Sequence, residues 1–402
     1  MTTTHPQTSI PPAAEPGGRR WVAVGSSADT DSRSAGMEAA RAARADQAPR
    51  LLIVFASPAH DLPALLEGIA GVAGDTPMIG CSTSGEIATG GPSDAGVVIT
   101  ALGGEGFSVA TSIARDVAGR LRSAGTEVGA CIGEVADQPH KVLLLLTDGL
   151  AGDQQEVVRG AYDAVGAAIP LVGGCAGDDL AMKRTVQFFD GEVVGDAIVA
   201  AAISSDAPIG IGVRHGWQRV GDAMLVTDSE GTRVRSIDDR PALDVYLERL
   251  QAPESVRHDA AAFTRYAMTH PLGLSRRSGE EVRFIAGADF AERSLQCIAE
   301  VRQGGLVWIM AGDAGSIVDA VDDACGDALE ALQGRPPVGL VAFDCIARRG
   351  VLGDDGIRTE VARIADHAGG APVAGFYTYG EIARTHGISG FHNQTLVVLA
   401  LG

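Results

Sequence analysis

The chain has 402 residues, 46% of them apolar and 21% charged, with 53 glycines and a formal net charge of −19. That composition supports one large core or two medium ones and excludes a disordered protein. The acidic excess argues against a nucleic-acid or anionic-membrane surface, since both need clustered Lys and Arg.

Residues 1–20 carry Pro6, Pro11, Pro12 and Pro16 and read as a loose tail. Arg19 and Arg20 suggest twin-arginine export, but "WVAVG" gives way to "SSADTDSR" well short of a signal peptide's apolar stretch. No run approaches the roughly 20 apolar residues of a membrane span. Six separated cysteines without CxxC or metal-ligand spacing fit free thiols in a reducing compartment. A soluble, cytoplasmic protein without membrane insertion is expected.

Next, "WVAVGSS" (21–27) predicts a strand, 34–45 a helix, "LLIVFAS" (51–57) a buried strand, 62–72 a second helix, and "GVVITALGG" (96–104) a strand after "PMIGCSTSGEIA". A related passage follows: the strand "VLLLLTDG" (142–149), a helix with Val158, Ala161, Tyr162, Val165 and Ile169 on one face, and then "IPLVGGCAGDDL". The C-terminal region repeats the order, with strand "VWIMAGD" (307–313), a helix marked by Ile317, Val321, Ala324, Ala328 and Leu332, and strand "VGLVAFDC" (338–345). A helix around 361–367, the turn "PVAGFYTYGEIA" and the strand "TLVVLALG" complete it. This is internal duplication. The expected fold is α/β, with mixed sheets flanked by helices and two related lobes built on a strand–helix–strand–helix–strand–turn–strand unit. In such sheets ligands gather at the carboxyl ends of strands.

The turns "GCSTSGEIA" (80–88) and "GFYTYGEIA" (375–383) share the residues that hold a turn's shape and differ where a site would vary. One reading makes them tight connections only. The other builds a pocket with a small polar wall (Cys81, Ser82, Thr83, Ser84, with Glu86) opposite an aromatic wall (Tyr377, Tyr379, with Glu381). Gly174, Cys175 and Asp178 of "GGCAGDD" join it, and His392 and Asn393 either bond the neighbouring turn or touch ligand. Glycine-turn N–H groups would receive a carboxylate, and Glu86, Asp178 or Glu381 an ammonium.

"GCSTSG" departs from a nucleophile elbow because Ser84 stands where the second glycine belongs. Cys81 or Cys345 with a histidine base defines a rival, cysteine-dependent enzyme, and a structural partner-docking protein is a third reading. A buried, inert cysteine is the commoner outcome. No zincin motif, Walker loop or dinucleotide fingerprint is present, and no cofactor or metal is expected.

"LVGGCAGDDL", "RTVQFFDGEVVGDAIVAAAI", "RPALDVYLERL", "HPLGL", "VGLVAFDCIARRGVLG", "AGFYTYGEIA" and "FHNQTLVVLALG" together resemble the bacterial FIST sensory proteins. The resemblance implies a FIST N-terminal domain (21–235) and a FIST C-terminal domain (236–402). It also implies a small-molecule ligand, amino acids or related compounds, and no catalytic activity. Signalling is expected to pass through a separate output protein.

Overall fold

A computed structural model describes residues 20–45, 47–276, 279–385 and 390–402. The expected tail lies outside the described residues except at Arg20, whose Nε donates to the Gly402 carbonyl at 2.7 Å and whose guanidinium pairs with Asp206.

One unit is built three times. The first comprises β1 (Trp21–Ser27), α1 (Ser32–Ala42), β2 (Pro49–Ala56), α2 (Leu62–Ala73), β3 (Met78–Ser82), a hairpin of β4 (Glu86–Ala88) and β5 (Gly91–Ser93), and β6 (Val97–Gly103). The second runs through β7 (Phe107–Arg115), α3 (Leu121–Gly129), β8 (His140–Thr147), α4 (Gln154–Val165) and β9 (Leu171–Cys175). Its hairpin is β10 (Gln187–Phe189) and β11 (Glu192–Val194), followed by β12 (Ala197–Ser205). The third opens with β13 (Ile209–Arg214) and is then interrupted. The insertion holds β14 (Gln218–Glu230), β15 (Arg233–Ile237), β16 (Arg240–Pro241), α5 (Ala242–Arg249), α6 (Ala260–Ala267), β17 (Leu272–Arg276), β18 (Gly279–Arg283), β19 (Ile285–Asp289), β20 (Ser294–Cys297) and β21 (Leu306–Ala311). The unit resumes with α7 (Ala314–Glu330), β22 (Gly339–Cys345), α8 (Ile346–Ala368), β23 (Val373–Thr378), the hairpin β24 (Glu381–Arg384) and β25 (Phe391–His392), and β26 (Leu396–Leu401). Aspartates start several of these helices by accepting orphan N–H groups: Asp31 from Ser34, Asp61 from Ala64, Asp153 from Gln155 and Asp313 from Ser316.

Each unit forms a mixed sheet with one parallel pair at its centre: β2 with β3, β8 with β9, β22 with β23. The hairpins do not stay at home. β4–β5 extends the third unit's sheet through β23, β10–β11 extends the first through β3, and β24–β25 extends the second through β9. The exchange is cyclic, so every sheet is completed by another unit.

Central strands are buried on both faces, which is why they read as unbroken apolar runs rather than alternating ones. Leu51, Ile53 and Phe55 point into one central core with Val142, Leu144, Leu146, Val341 and Phe343. The intervening Leu52 and Val54 pack under α1 and α2, Leu143 and Leu145 under α3 and α4, and Leu340 and Ala342 under α7 and α8. Phe55, Phe343 and Phe376 meet in the central core at centroid distances of 4.6–6.3 Å.

Two sequence expectations change. The strand at 307–313 is not the opening strand of the last unit: β21 pairs β14 and β17 in the inserted sheet, and β13 takes that role, pairing β26 as β1 pairs β6. The insertion delivers an unrelated strand immediately before α7, so adjacency in sequence misleads. The helix expected around 361–367 is the later of two helical stretches that make up α8 from Ile346 to Ala368 and meet at Gly353, whose φ of 62° is non-helical; glycines 350, 353 and 356 mask its earlier extent. Among the described residues, no helix is long and apolar enough to cross a membrane.

Candidate functional site: a ring of turns under a cleft

The parallel pairings set residues 80, 173 and 375 in equivalent places, and each is glycine for the same reason. A Cβ would stand 2.3 Å from the Val54 carbonyl oxygen at Gly80, 1.9 Å from that of Leu145 at Gly173 and 2.1 Å from that of Ala342 at Gly375. The chain then turns at the carboxyl end of each strand, and the three turns bond one another in a cycle. Ser84 N–H donates to Tyr377 O at 3.1 Å, Tyr379 N–H to Cys175 O at 3.2 Å, and Gly177 N–H to Ser82 O at 2.9 Å. A second set follows, from Tyr377 N–H to Gly85 O, Cys175 N–H to Gly380 O and Ser82 N–H to Val186 O, all between 2.8 and 2.9 Å.

Val186 thus stands where Gly85 and Gly380 stand, and Asp178–Thr185 is an excursion that the other two turns lack. Asp178 gathers it, accepting from the N–H groups of Met182, Lys183 and Arg184 at 2.7–2.9 Å and from the Tyr379 hydroxyl. Burial disfavours its charge, but the Tyr379 and backbone donors outweigh that and hold the carboxyl below its usual range. Tyr379 Oη also receives Leu180 N–H at 2.8 Å, and its own acidity is suppressed, by burial first and by Asp178 next, to about 12.

Above the ring lies a cleft of about 820 Å³ to which all three turns contribute: Ser84, then Asp179 with Leu180 and Met182, then Tyr379. The opposite wall comes from the insertion, with Met268, Phe284 and Ile298, and the head of α8 supplies Ile346 and Arg349. Arg349 donates to Ser84 O at 2.7 Å, pairs with Asp94 and lies 5.0 Å over the Tyr377 ring. Gly85 has a φ of 108°, a conformation that favours glycine, and its missing side chain leaves room for the Arg349 guanidinium, whose terminal nitrogen would sit 2.1 Å from a Cβ there.

Of the sequence candidates, Ser84 and Tyr379 line this cleft and Asp178 braces its wall. Most others are enclosed by protein. Cys81 lies in the central core, and Ser82 Oγ donates to Gly177 O at 2.8 Å. Thr83 donates to Glu86 at 2.6 Å; the other Glu86 oxygen takes Ser93 Oγ and Gly96 N–H at 2.7 and 2.9 Å. Thr378 and Glu381 repeat that bond at 2.6 Å, and Glu381 also accepts Thr395 N–H at 3.1 Å. Burial raises Glu86 to about 7 and Glu381 to about 8, so both braces favour the proton. Gly174 packs against Thr378, and Cys175 accepts from Thr147. Tyr377 is fully buried, with no hydrogen-bond partner for its hydroxyl among the described residues, so the aromatic wall of the cleft rests on Tyr379 alone of the pair. Below it Arg348, also fully buried, bonds Asp344 at 2.7 Å and pairs with Glu360. Asn393 bonds the His392 carbonyl at 2.7 Å. His392 lines a different cleft, with Trp217, Glu281 and Asp319, and its Nε2 donates to Ala383 O at 2.9 Å.

All six cysteines are free and buried. Burial pushes the Cys81 and Cys345 thiols well up, away from thiolate. Cys345 nevertheless borders the ring cleft. Sequence reasoning missed Gln154, Arg349 and the insertion's wall; the excursion was legible in the longer spacing between Gly177 and Gln187 than between Ser84 and Glu86.

A threefold-repeated α/β scaffold with cyclically exchanged hairpins and a cleft over its joined turns is the class of architecture that the chain adopts. Residues 50–240 match the FIST N domain and residues 242–384 the FIST C domain, and the chain belongs to the FIST family, whose domains are sensory domains of signal transduction. The chain is also similar to uncharacterized proteins of Mycobacterium tuberculosis (25% identity over 389 residues, 93% of this chain and 97% of the relative) and Mycobacterium bovis (24% over 392 residues, 93% and 97%). A third, from Methanocaldococcus jannaschii, is 27% identical over 164 residues; the match spans 39% of this chain and 32% of that relative's length.

Proposed function

We propose that the protein senses a small metabolite, an amino acid or a related compound, in the cleft over the ring of turns, and that a separate output protein reads the occupied state. One observation carries this reading: three turns from three units, cross-bonded in a cycle, each give a side chain to one cleft of about 820 Å³. That volume lies within the range of small-molecule sites. A ligand there touches the turns of all three units at once, so occupancy bears on the whole scaffold. Six free thiols support a reducing, cytoplasmic setting.

The test is a thermal-shift screen of the full chain against amino acids, small carboxylates and amines. A ligand that binds only the folded state raises apparent stability by about 2.7 kcal/mol at a hundredfold excess over Kd. A hit whose shift disappears in Ser84→Leu supports the cleft; a flat response across the panel removes the reading. The position of Cys345 favours one rival, a cysteine-dependent enzyme, which predicts product formation that Cys345→Ala abolishes.

A further inference from the structure

We infer that the cleft's ligand is an amphipathic amine, an apolar body ending in an ammonium group, for which a carboxylate is dispensable. This rests on the ligand occupying the cleft proposed above. Three observations converge.

Among the described residues, the charged ones lining the cleft are Asp94, Asp179 and Asp354 against the single cation Arg349. That cation is already engaged: its guanidinium donates to the Ser84 carbonyl and to Asp94, with its face on Tyr377. Taken together the lining is net negative, in a protein whose total charge of −19 extends the same field outward.

Gln154 supplies the second observation. It is 3% exposed, belongs to the cleft's lining, and carries an Oε1 that has no hydrogen-bond partner among the described residues. Its Nε2 donates to the carbonyls of Asp148 at 2.8 Å and Gly152 at 3.2 Å, and carbonyls only accept, so the orientation of the amide is fixed. A buried, unsatisfied acceptor asks for a donor. The donors nearby do not meet that need: Tyr379 gives its hydrogen to Asp178, and Thr264 directs its hydroxyl to the Ala260 carbonyl at 3.0 Å. An ammonium brings three donors and a positive charge.

The walls supply the third. Leu180 and Met182, each 61% exposed on the excursion, face a surface of Met268, Phe284 and Ile298, with Phe391 beside them. Apolar groups left this open gain by covering with an apolar body.

The probes are 2-phenylethylamine, L-phenylalanine and 3-phenylpropionate, one ring carrying an amine, both groups or an acid, titrated calorimetrically into the full chain at pH 7.5. The expected order is amine at least tenfold tighter than acid, with phenylalanine no tighter than the amine. Asp179→Asn, at an exposed position that leaves the core untouched, should weaken the amine at least fivefold and spare the acid. Met182→Ser should weaken the amine severalfold through its body. An acid that binds as tightly as the amine, or an amine indifferent to Asp179→Asn, overturns the inference. Phenylalanine binding tenfold tighter than the amine also overturns it while leaving an amino-acid site in the cleft. Silence from all three probes, together with a flat amino-acid screen, removes both readings.

Discussion

Tyr379 donates its phenolic hydrogen to Asp178, tying the turn of the third unit to the excursion of the second. The same oxygen receives Leu180 N–H, so one side chain holds the start of the excursion at two points. Tyr379→Phe removes a hydrogen bond to a charged acceptor, a loss of about 1.5–3 kcal/mol. Amide exchange at residues 180–184 should quicken while exchange in β8 and β9 stays slow, and any bound ligand should dissociate faster. Unchanged exchange in the excursion would contradict the bracing role.

The three equivalent glycines should respond alike but unequally. Gly80→Ala, Gly173→Ala and Gly375→Ala each drive a methyl against a neighbouring strand's carbonyl oxygen, and overpacking of this kind costs about 1–3 kcal/mol or more. Gly173 also sits at φ 147°, so its substitution adds backbone strain and should lower the denaturant midpoint most. Equal midpoints for all three variants would show that strain at Gly173 contributes nothing.

Glu86 and Glu381 should lower stability as pH rises from about 5 to 8, opposed below about 6.5 by His215 and His392, whose burial holds their folded-state values down, to about 4 for His215. Glu86 and Glu381 have folded-state values near 7 and 8, above the 4.5 of an unperturbed glutamate, so within that window the folded chain holds protons that the unfolded chain has released. Unfolding free energy then declines with pH, by up to about 1.4 kcal/mol per pH unit for each group. Gln187, which occupies the equivalent place in the second unit, is already neutral. Glu86→Gln should flatten part of the slope between pH 5 and 7, measured by urea denaturation at successive pH values.

Arg348 is expected to be the least replaceable charged residue. Its removal in Arg348→Met leaves Asp344 and Glu360 facing one another in the core, a change that typically costs about 3–5 kcal/mol. Triple replacement by apolar residues of matching volume should recover much of that loss. If Arg348→Met alone were neutral, the cluster would hold less charge than its geometry implies.

Thiol chemistry gives a simple check. In native protein at neutral pH an aromatic disulfide reagent should react slowly with all six cysteines, since each is buried and burial suppresses ionisation to thiolate, pushing the pKa to about 11 for Cys131 and about 12 for Cys175. After unfolding without reductant, six equivalents should appear.

The repeated strand and helix order was legible because the central strands carry uninterrupted apolar runs and the turns share lettering at fixed offsets. The middle turn was recognisable too, although Gly177–Gln187 hides its homology to "SGE" by carrying the excursion. Hairpin exchange was not legible. β4, β10 and β24 look like ordinary extensions of their own units, and nothing in "GEIA" or "VQFF" names the strand with which it pairs. The candidate residues were mostly those that build the ring rather than those that line the cleft. A turn's shape is written locally in Gly, Thr and Glu, whereas a cleft wall such as Met268 or Phe284 arrives from an insertion whose placement only the tertiary fold decides.

Cyclic hairpin exchange also orders the birth of the protein. The first sheet lacks its outer strands until β10 and β11 have been synthesised, and the second waits for β24 and β25, close to the chain's last residue. Meanwhile β4 and β5 have no β23 to join. A nascent chain therefore presents unpaired strand edges for most of its translation, a state prone to association with other strands and slow to resolve because its missing contacts are so distant in sequence. A fragment ending near residue 240 would complete the first sheet but leave β9 without β24 and β4–β5 without β23, so the two matched halves are expected to depend on one another for folding and to appear together on one polypeptide.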